Sequence, residues 1–206
     1  MQRLLRLTLI ALLFLGTTLN GFAQRQRQRL GFFINAAGYF PVQDNINNGF
    51  GSGLGAIFYA TPNISVSLEW KYGRFNVDKV EGGLLKGTLY ITPLLVSIHY
   101  NLKTSTSFSP YIFLGSGFFF NNFTLDESQS QENPDIRKQE INNGIGLYGG
   151  IGSEYKINDR LSLFLEALYM TRKAEAETIY INNSPSTAFN VNLNSFSLLI
   201  GVNYTY

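Results

Sequence analysis

Ser97 and His99 stand two positions apart in a stretch of alternating residues, so an extended backbone puts both on one face. With a glutamate brought up by the fold, they have the composition of a Ser-His-acid hydrolase triad. A lone histidine on such a face is more commonly a hydrogen-bonding residue of the structure, and catalysis is not expected. His99 is the sole histidine and the chain has no cysteine, so a Cys/His metal cluster and a thiol nucleophile are both excluded. No cofactor is expected. Gly144-Ile145-Gly146-Leu147-Tyr148-Gly149 spells the G-x-G-x-x-G of dinucleotide-binding loops, but it starts an alternating stretch and opens no helix. The remaining chemistry-bearing residues are charged: Glu69, Lys71, Glu154, Lys156, Glu166 and Arg172. Each lies within or at the end of a run of large apolar residues, on the opposite parity. An ionised side chain in such surroundings must be paired, so with His99 these six are expected to form an interior ion network. That network either fixes packing and register or lines a route for a polar solute.

The elements that hold these residues are strands. Eight segments alternate apolar and polar residues with a period of two. They cover about residues 30–40, 50–60, 64–75, 86–102, 110–122, 144–157, 161–172 and 196–206. The third is the clearest: Ile64, Val66, Leu68, Trp70 and Tyr72 alternate with Ser65, Ser67, Glu69 and Lys71. The last carries Phe196, Leu198, Ile200, Val202, Tyr204 and Tyr206 on one face and ends on an aromatic. Pro93 removes a ladder donor inside the fourth, so a bulge is expected there. Phe118-Phe119-Phe120 leaves the phase of the fifth open. Glycine recurs on the face opposite the apolar residues. Pairing about the turns at 61–63 and 158–160 sets Gly55 opposite Glu69, Gly53 opposite Lys71, Gly152 opposite Glu166 and Gly146 opposite Arg172. Each long charged side chain thereby gains room.

Two domains are expected, a cleaved signal peptide over 1–23 and a β domain over 24–206. Arg3 and Arg6 precede an apolar run at 7–15, and Gly21-Phe22-Ala23 forms a small-x-small cleavage site before Gln24. The run falls short of the ~20 residues a spanning helix needs. The whole chain has 16 Lys and Arg against 14 Asp and Glu. Arg3 and Arg6 are the difference, which leaves the exported part neutral and gives no reason to expect a nucleic-acid partner. The 17 Phe and 12 Tyr of the whole chain are heavy for a soluble protein of this size.

Eight alternating strands, short turns alternating with long polar links, and a last strand ending on Tyr206 resemble the small outer-membrane β-barrels of the OmpA/OmpX/OmpW type. The resemblance implies an all-β fold, an eight-stranded antiparallel transmembrane barrel with short periplasmic turns and longer extracellular loops. It implies the outer membrane of a Gram-negative bacterium as the location, with outer-membrane lipid as a partner. It also implies that the strand from Phe196 to Tyr206 is read by the barrel-assembly machinery. A lipocalin-type soluble barrel would turn its apolar face inward and end in polar sequence. The loops at 76–85, 123–143 and 173–190 are expected to carry any site for an extracellular ligand, since loops on a rigid scaffold commonly bind. Eight strands enclose a space just wide enough for side chains. A side-chain-filled lumen with a structural or surface-interaction role is therefore the first expectation. The OmpW-type resemblance adds a narrow channel or transporter for small solutes, hydrophobic ones included. Lipid A deacylases represent a third class, a lipid-modifying enzyme, but their catalytic groups face lipid, whereas Ser97 and His99 are expected to point inward.

Overall fold

The computed structural model describes residues 29–80, 83–102, 104, 106–133, 135–181 and 186–206. The expected signal peptide, with Gly21, Ala23 and Gln24 at its cleavage site, lies outside the described residues. In chain order the elements are β1 (Arg29–Pro41), β2 (Gly49–Tyr59), β3 (Ile64–Val77), β4 (Gly87–Asn101), β5 (Phe108–Leu125), a short helix α1 (Glu127–Glu132), β6 (Ile136–Ile141), β7 (Gly144–Lys156), β8 (Leu161–Thr171), β9 (Lys173–Tyr180), β10 (Thr187–Asn192) and β11 (Ser195–Thr205). The eight alternating segments are β1 to β5, β7, β8 and β11. They close into an antiparallel barrel in the order β1-β11-β8-β7-β5-β4-β3-β2. β11 closes the ring against β1 without a break, from Gly31↔Thr205 to Pro41↔Ser195. Such closure gives every strand a neighbour on both sides and leaves no edge, the condition under which strands cross hydrocarbon.

Alternation then sorts the side chains. One parity of each strand forms an outer wall of bare aliphatics and aromatics; Ile145, Leu114 and Phe50 are 73%, 69% and 67% exposed. In water such a continuous apolar belt would drive association, whereas lipid is its natural neighbour. On β3 the belt runs from Ile64 to Tyr72; at ~3.3 Å per residue and ~40° tilt that is about 20 Å of height, near the ~25 Å of an outer-membrane apolar band. Arg74 is the exception on this strand. It faces outward between Tyr72 and Asn76, at the loop-side border of the belt.

Two expectations need correction. Pro93 causes no bulge: β3 and β4 pair as Trp70↔Leu94 and resume as Gly73↔Ile91, in one unchanged register. Only the pairs of Lys71 and Tyr72 with Pro93 and Thr92 lapse, because proline offers no N–H while its other edge still pairs with Phe119. The other seven barrel seams pair without an internal break. The second correction concerns the loops at 123–143 and 173–190, read above as polar links. They carry α1 and a three-stranded sheet in the order β10-β9-β6. Its buried face is built from Ile141, Ala174, Ala176 and Val191, which join the core at the loop end of the barrel.

Candidate functional site

The inward parity of the barrel strands builds a lumen that differs sharply between its two ends. At the turn end, Asn203 Nδ2 donates to Tyr59 Oη at 2.8 Å and to Glu154 Oε1 at 3.1 Å, and Ser162 Oγ donates to the same Glu154 oxygen. One step deeper, Ser97 Oγ lies 2.8 Å from His99 Nε2 and 2.7 Å from Ser67 Oγ. Tyr111 donates its hydroxyl proton to Glu166 Oε1 at 2.8 Å. Above them Asn35 Nδ2 donates to Glu69 Oε1 at 2.6 Å, while Lys71 Nζ pairs with Glu69 Oε2 at 3.1 Å. A cavity of about 40 Å³ remains among these groups. At ~10–15 Å³ of such volume per water it has room for about three.

Beyond Lys71 the lumen turns apolar. Phe75, Leu89, Ile91, Phe119, Leu168 and Leu199 fill it, with Leu89 and Phe119 fully buried. A space of about 20 Å³ is left beside Pro93, inside the interrupted β3–β4 seam. The roof comes from Leu84 and Leu85, both buried. Gln139 of β6 pins them. Its Oε1 accepts the Leu85 N–H at 2.8 Å, and its Nε2 donates to the Gly83 carbonyl at 3.2 Å and to Thr178 Oγ1 at 2.9 Å. At the mouth, the Arg172 guanidinium lies 5.0 Å above the Phe119 ring and donates to Asn121 Oδ1 and the Asn142 carbonyl.

Of the seven residues expected in one network, the structure brings together Glu69, Lys71, His99 and Glu166, all buried. Glu154 is half-buried one layer nearer the turns. Lys156 does not join: it is exposed and lines an open recess of about 550 Å³ at the turn end. Its position, the last of β7, carries it beyond the lumen. Arg172 stands apart at the opposite end, separated from Lys71 by the apolar layer. Ser97 and His99 do point inward, and among the described residues the imidazole bonds to the two serines and to no carboxylate. No Ser-His-acid relay is assembled. The strand carrying Phe196, Leu198, Ile200, Val202, Tyr204 and Tyr206 presents all six outward.

Gly53↔Lys71, Gly55↔Glu69 and Gly152↔Glu166 pair as expected, but the room is used differently. Only at Gly53 would a methyl group meet the ions, with Glu69 Oε1 and Lys71 Cγ both at 2.9 Å. At Gly55 and Gly152 it would strike the rings of Phe33 and Tyr111. Aromatic rings from a neighbouring strand lie across those glycines and wall the polar cluster in. Sequence reading also missed Gln139, which hides in the charged run Arg137-Lys138-Gln139-Glu140, and the Leu84-Leu85 pair, whose apolar character in a polar loop was the available signal.

The OmpW family profile matches residues 32–206. No curated protein sequence matches the chain significantly. Among solved structures, the outer-membrane protein OprG from Pseudomonas aeruginosa superposes with a TM-score of 0.72 at 16% identity, covering 87% of this chain and 96% of that one. The outer-membrane protein AlkL, determined in lipid bilayers, gives 0.59 at 14% identity, over 89% and 92%. OmpW of E. coli gives 0.54 at 16% identity, over 88% and 100%. The profile match spans every strand of the barrel, and these structures share its architecture. The chain belongs to the OmpW family of outer-membrane β-barrel proteins.

Proposed function

We propose that this barrel admits small apolar solutes at its loop end and releases them sideways through its wall, and that it conducts neither ions nor polar solutes along its axis. The observation that carries this reading is the division of the lumen. An apolar upper half ends beside the one seam with an internal break, and a cross-braced polar layer blocks the way below. A solute that has shed water in the upper half gains nothing by crossing buried charge, whereas the lipid outside the Pro93 gap is as apolar as the lumen. The Leu84-Leu85 roof must move to admit it. The test compares intact cells with and without the protein. Uptake of a small aromatic hydrocarbon should rise several-fold while uptake of a sugar of similar size stays level. Frequent, large, stable steps in planar bilayers would overturn the reading, since they require an open axial path.

The same reading includes removal of residues 1–23 on export and recognition of the last strand by the assembly machinery; intact mass of membrane-extracted protein should place Gln24 first. It assigns no catalysis to Ser97 and His99. A second reading, contact with a surface partner, is favoured by the sheet β10-β9-β6, which gives the loops a rigid platform with Arg137, Lys138, Glu140, Lys173 and Glu175 exposed. Charge-reversed variants on that platform would lose cell or protein adhesion under this second reading and leave solute uptake intact.

A further inference from the structure

We infer that the recess formed by Arg172 and Gly144 at the loop-side mouth binds the carboxylate of an amphiphile whose apolar tail enters the upper lumen. This rests on the apolar-route reading above and narrows its solutes to include short fatty-acid-like anions.

Arg172 is the unusual group of this mouth. The residue is 3% exposed, and its guanidinium is permanently charged and among the described residues has no carboxylate at ion-pair distance. Two of its nitrogens reach neutral acceptors, Asn121 Oδ1 at 3.0 Å and the Asn142 carbonyl at 2.8 Å, and among the described residues Nε–H has no acceptor. Buried charges are ordinarily paired, because neutral acceptors and an aromatic face return only part of the lost hydration. By contrast the other buried cation, Lys71, has Glu69 beside it. The site is therefore short of one negative charge and one acceptor, both of which a carboxylate supplies in the planar geometry that guanidinium prefers.

Space for it lies at Gly144. Most inward glycines of this barrel are hemmed in so tightly that a methyl group would collide with backbone or rings. At Gly144 it would meet only Arg172, at 3.9 Å. Below the guanidinium lies the Phe119 ring, and below that the apolar layer with its free space beside Pro93. A ligand that satisfies both parts has an anionic head and a short unbranched tail. A bare anion would use the head site alone, and a neutral alkane only the tail site.

The experiment titrates octanoate, octanol and acetate into the barrel in phospholipid nanodiscs and follows the Arg172 Nε–H resonance together with the Phe119 and Ile91 side-chain signals. Octanoate should shift all three saturably, at concentrations at least about tenfold below octanol, and acetate should not saturate in that range. Arg172→Gln should bring the octanoate-to-octanol preference to near unity, read from the Phe119 and Ile91 signals. Gly144→Val should weaken octanoate with the guanidinium still in place. Equal affinity for octanoate and octanol in the parent overturns the Arg172 assignment and leaves the apolar route standing. Acetate as effective as octanoate reduces the site to a bare anion site and overturns the amphiphile. No response at Phe119 or Ile91 to either eight-carbon ligand overturns the apolar route itself.

Discussion

Glu69 and Lys71 form a buried ion pair at 3.1 Å in the middle of the lumen, and neither can be removed alone without leaving a charge stranded. In Lys71→Met the Glu69 carboxylate keeps only the Asn35 amide; in Glu69→Gln the Lys71 ammonium keeps no carboxylate partner at ion-pair distance among the described residues. Breaking a buried pair from one side costs about 3–5 kcal/mol, whereas replacing both partners by uncharged groups of similar size is close to neutral. Each single variant should therefore lose about 3 kcal/mol or more, and Glu69→Gln/Lys71→Met about 1 kcal/mol or less. The resulting coupling is at least about 5 kcal/mol, above the ~3 kcal/mol that residues in contact usually reach. The assay is urea unfolding of barrels refolded into phospholipid vesicles. Trp70, the sole tryptophan, sits between the two residues and faces the lipid, so its emission reports withdrawal of β3 from the membrane. Additive single effects below about 1 kcal/mol would show that the pair is solvated, and that the polar layer is a wet passage and not a seal.

Gly51→Ala would drive a methyl group into the Tyr72 backbone carbonyl, which cannot move without breaking the β2–β3 ladder, whereas at Gly38 the nearest atom is 3.7 Å away. Gly51→Ala should cost at least about 2 kcal/mol more than Gly38→Ala in the same unfolding assay. Gln139→Ala removes three hydrogen bonds from the roof and from β9; hydrogen exchange at the Leu85 amide should accelerate at least about tenfold and hydrocarbon uptake should rise. Deleting Tyr206 removes an outward ring 89% exposed and a hydrogen bond to Leu30. Membrane levels in cells should fall while detergent refolding stays near normal, and equal levels would count against recognition of the last strand.

The barrel was legible because one rule, apolar outside and small or polar inside, repeats along every strand with large side chains to mark it. β3 shows it most fully, from Ile64 to Tyr72. The register followed from two tight turns, and Gly53↔Lys71 and Gly152↔Glu166 paired as the turns required. The loop sheet escaped because the hidden face of its central strand, β9, is made of Ala174, Ala176 and Thr178, residues too small to stand out against polar neighbours. Ring placement escaped for another reason. The ring across Gly55 belongs to its direct partner on β1, Phe33, and β1 and β2 are joined by a longer link whose length does not set their register as a tight turn does. The split of the charged set has the same origin: parity places Glu69, Lys156 and Arg172 on one face but says nothing of the different depths at which β3, β7 and β8 present them.

Release through the wall is tested most directly by locking the seam at Pro93. The chain has no cysteine, so Tyr72→Cys/Thr92→Cys places a single pair across the lapsed part of the β3–β4 ladder, where facing residues of antiparallel strands lie within disulfide reach. Hydrocarbon uptake is measured in cells carrying this variant, oxidised and then reduced. With the bridge closed, uptake should drop to that of cells lacking the protein, and reduction should restore it. Undiminished uptake through the oxidised barrel would contradict release at this seam.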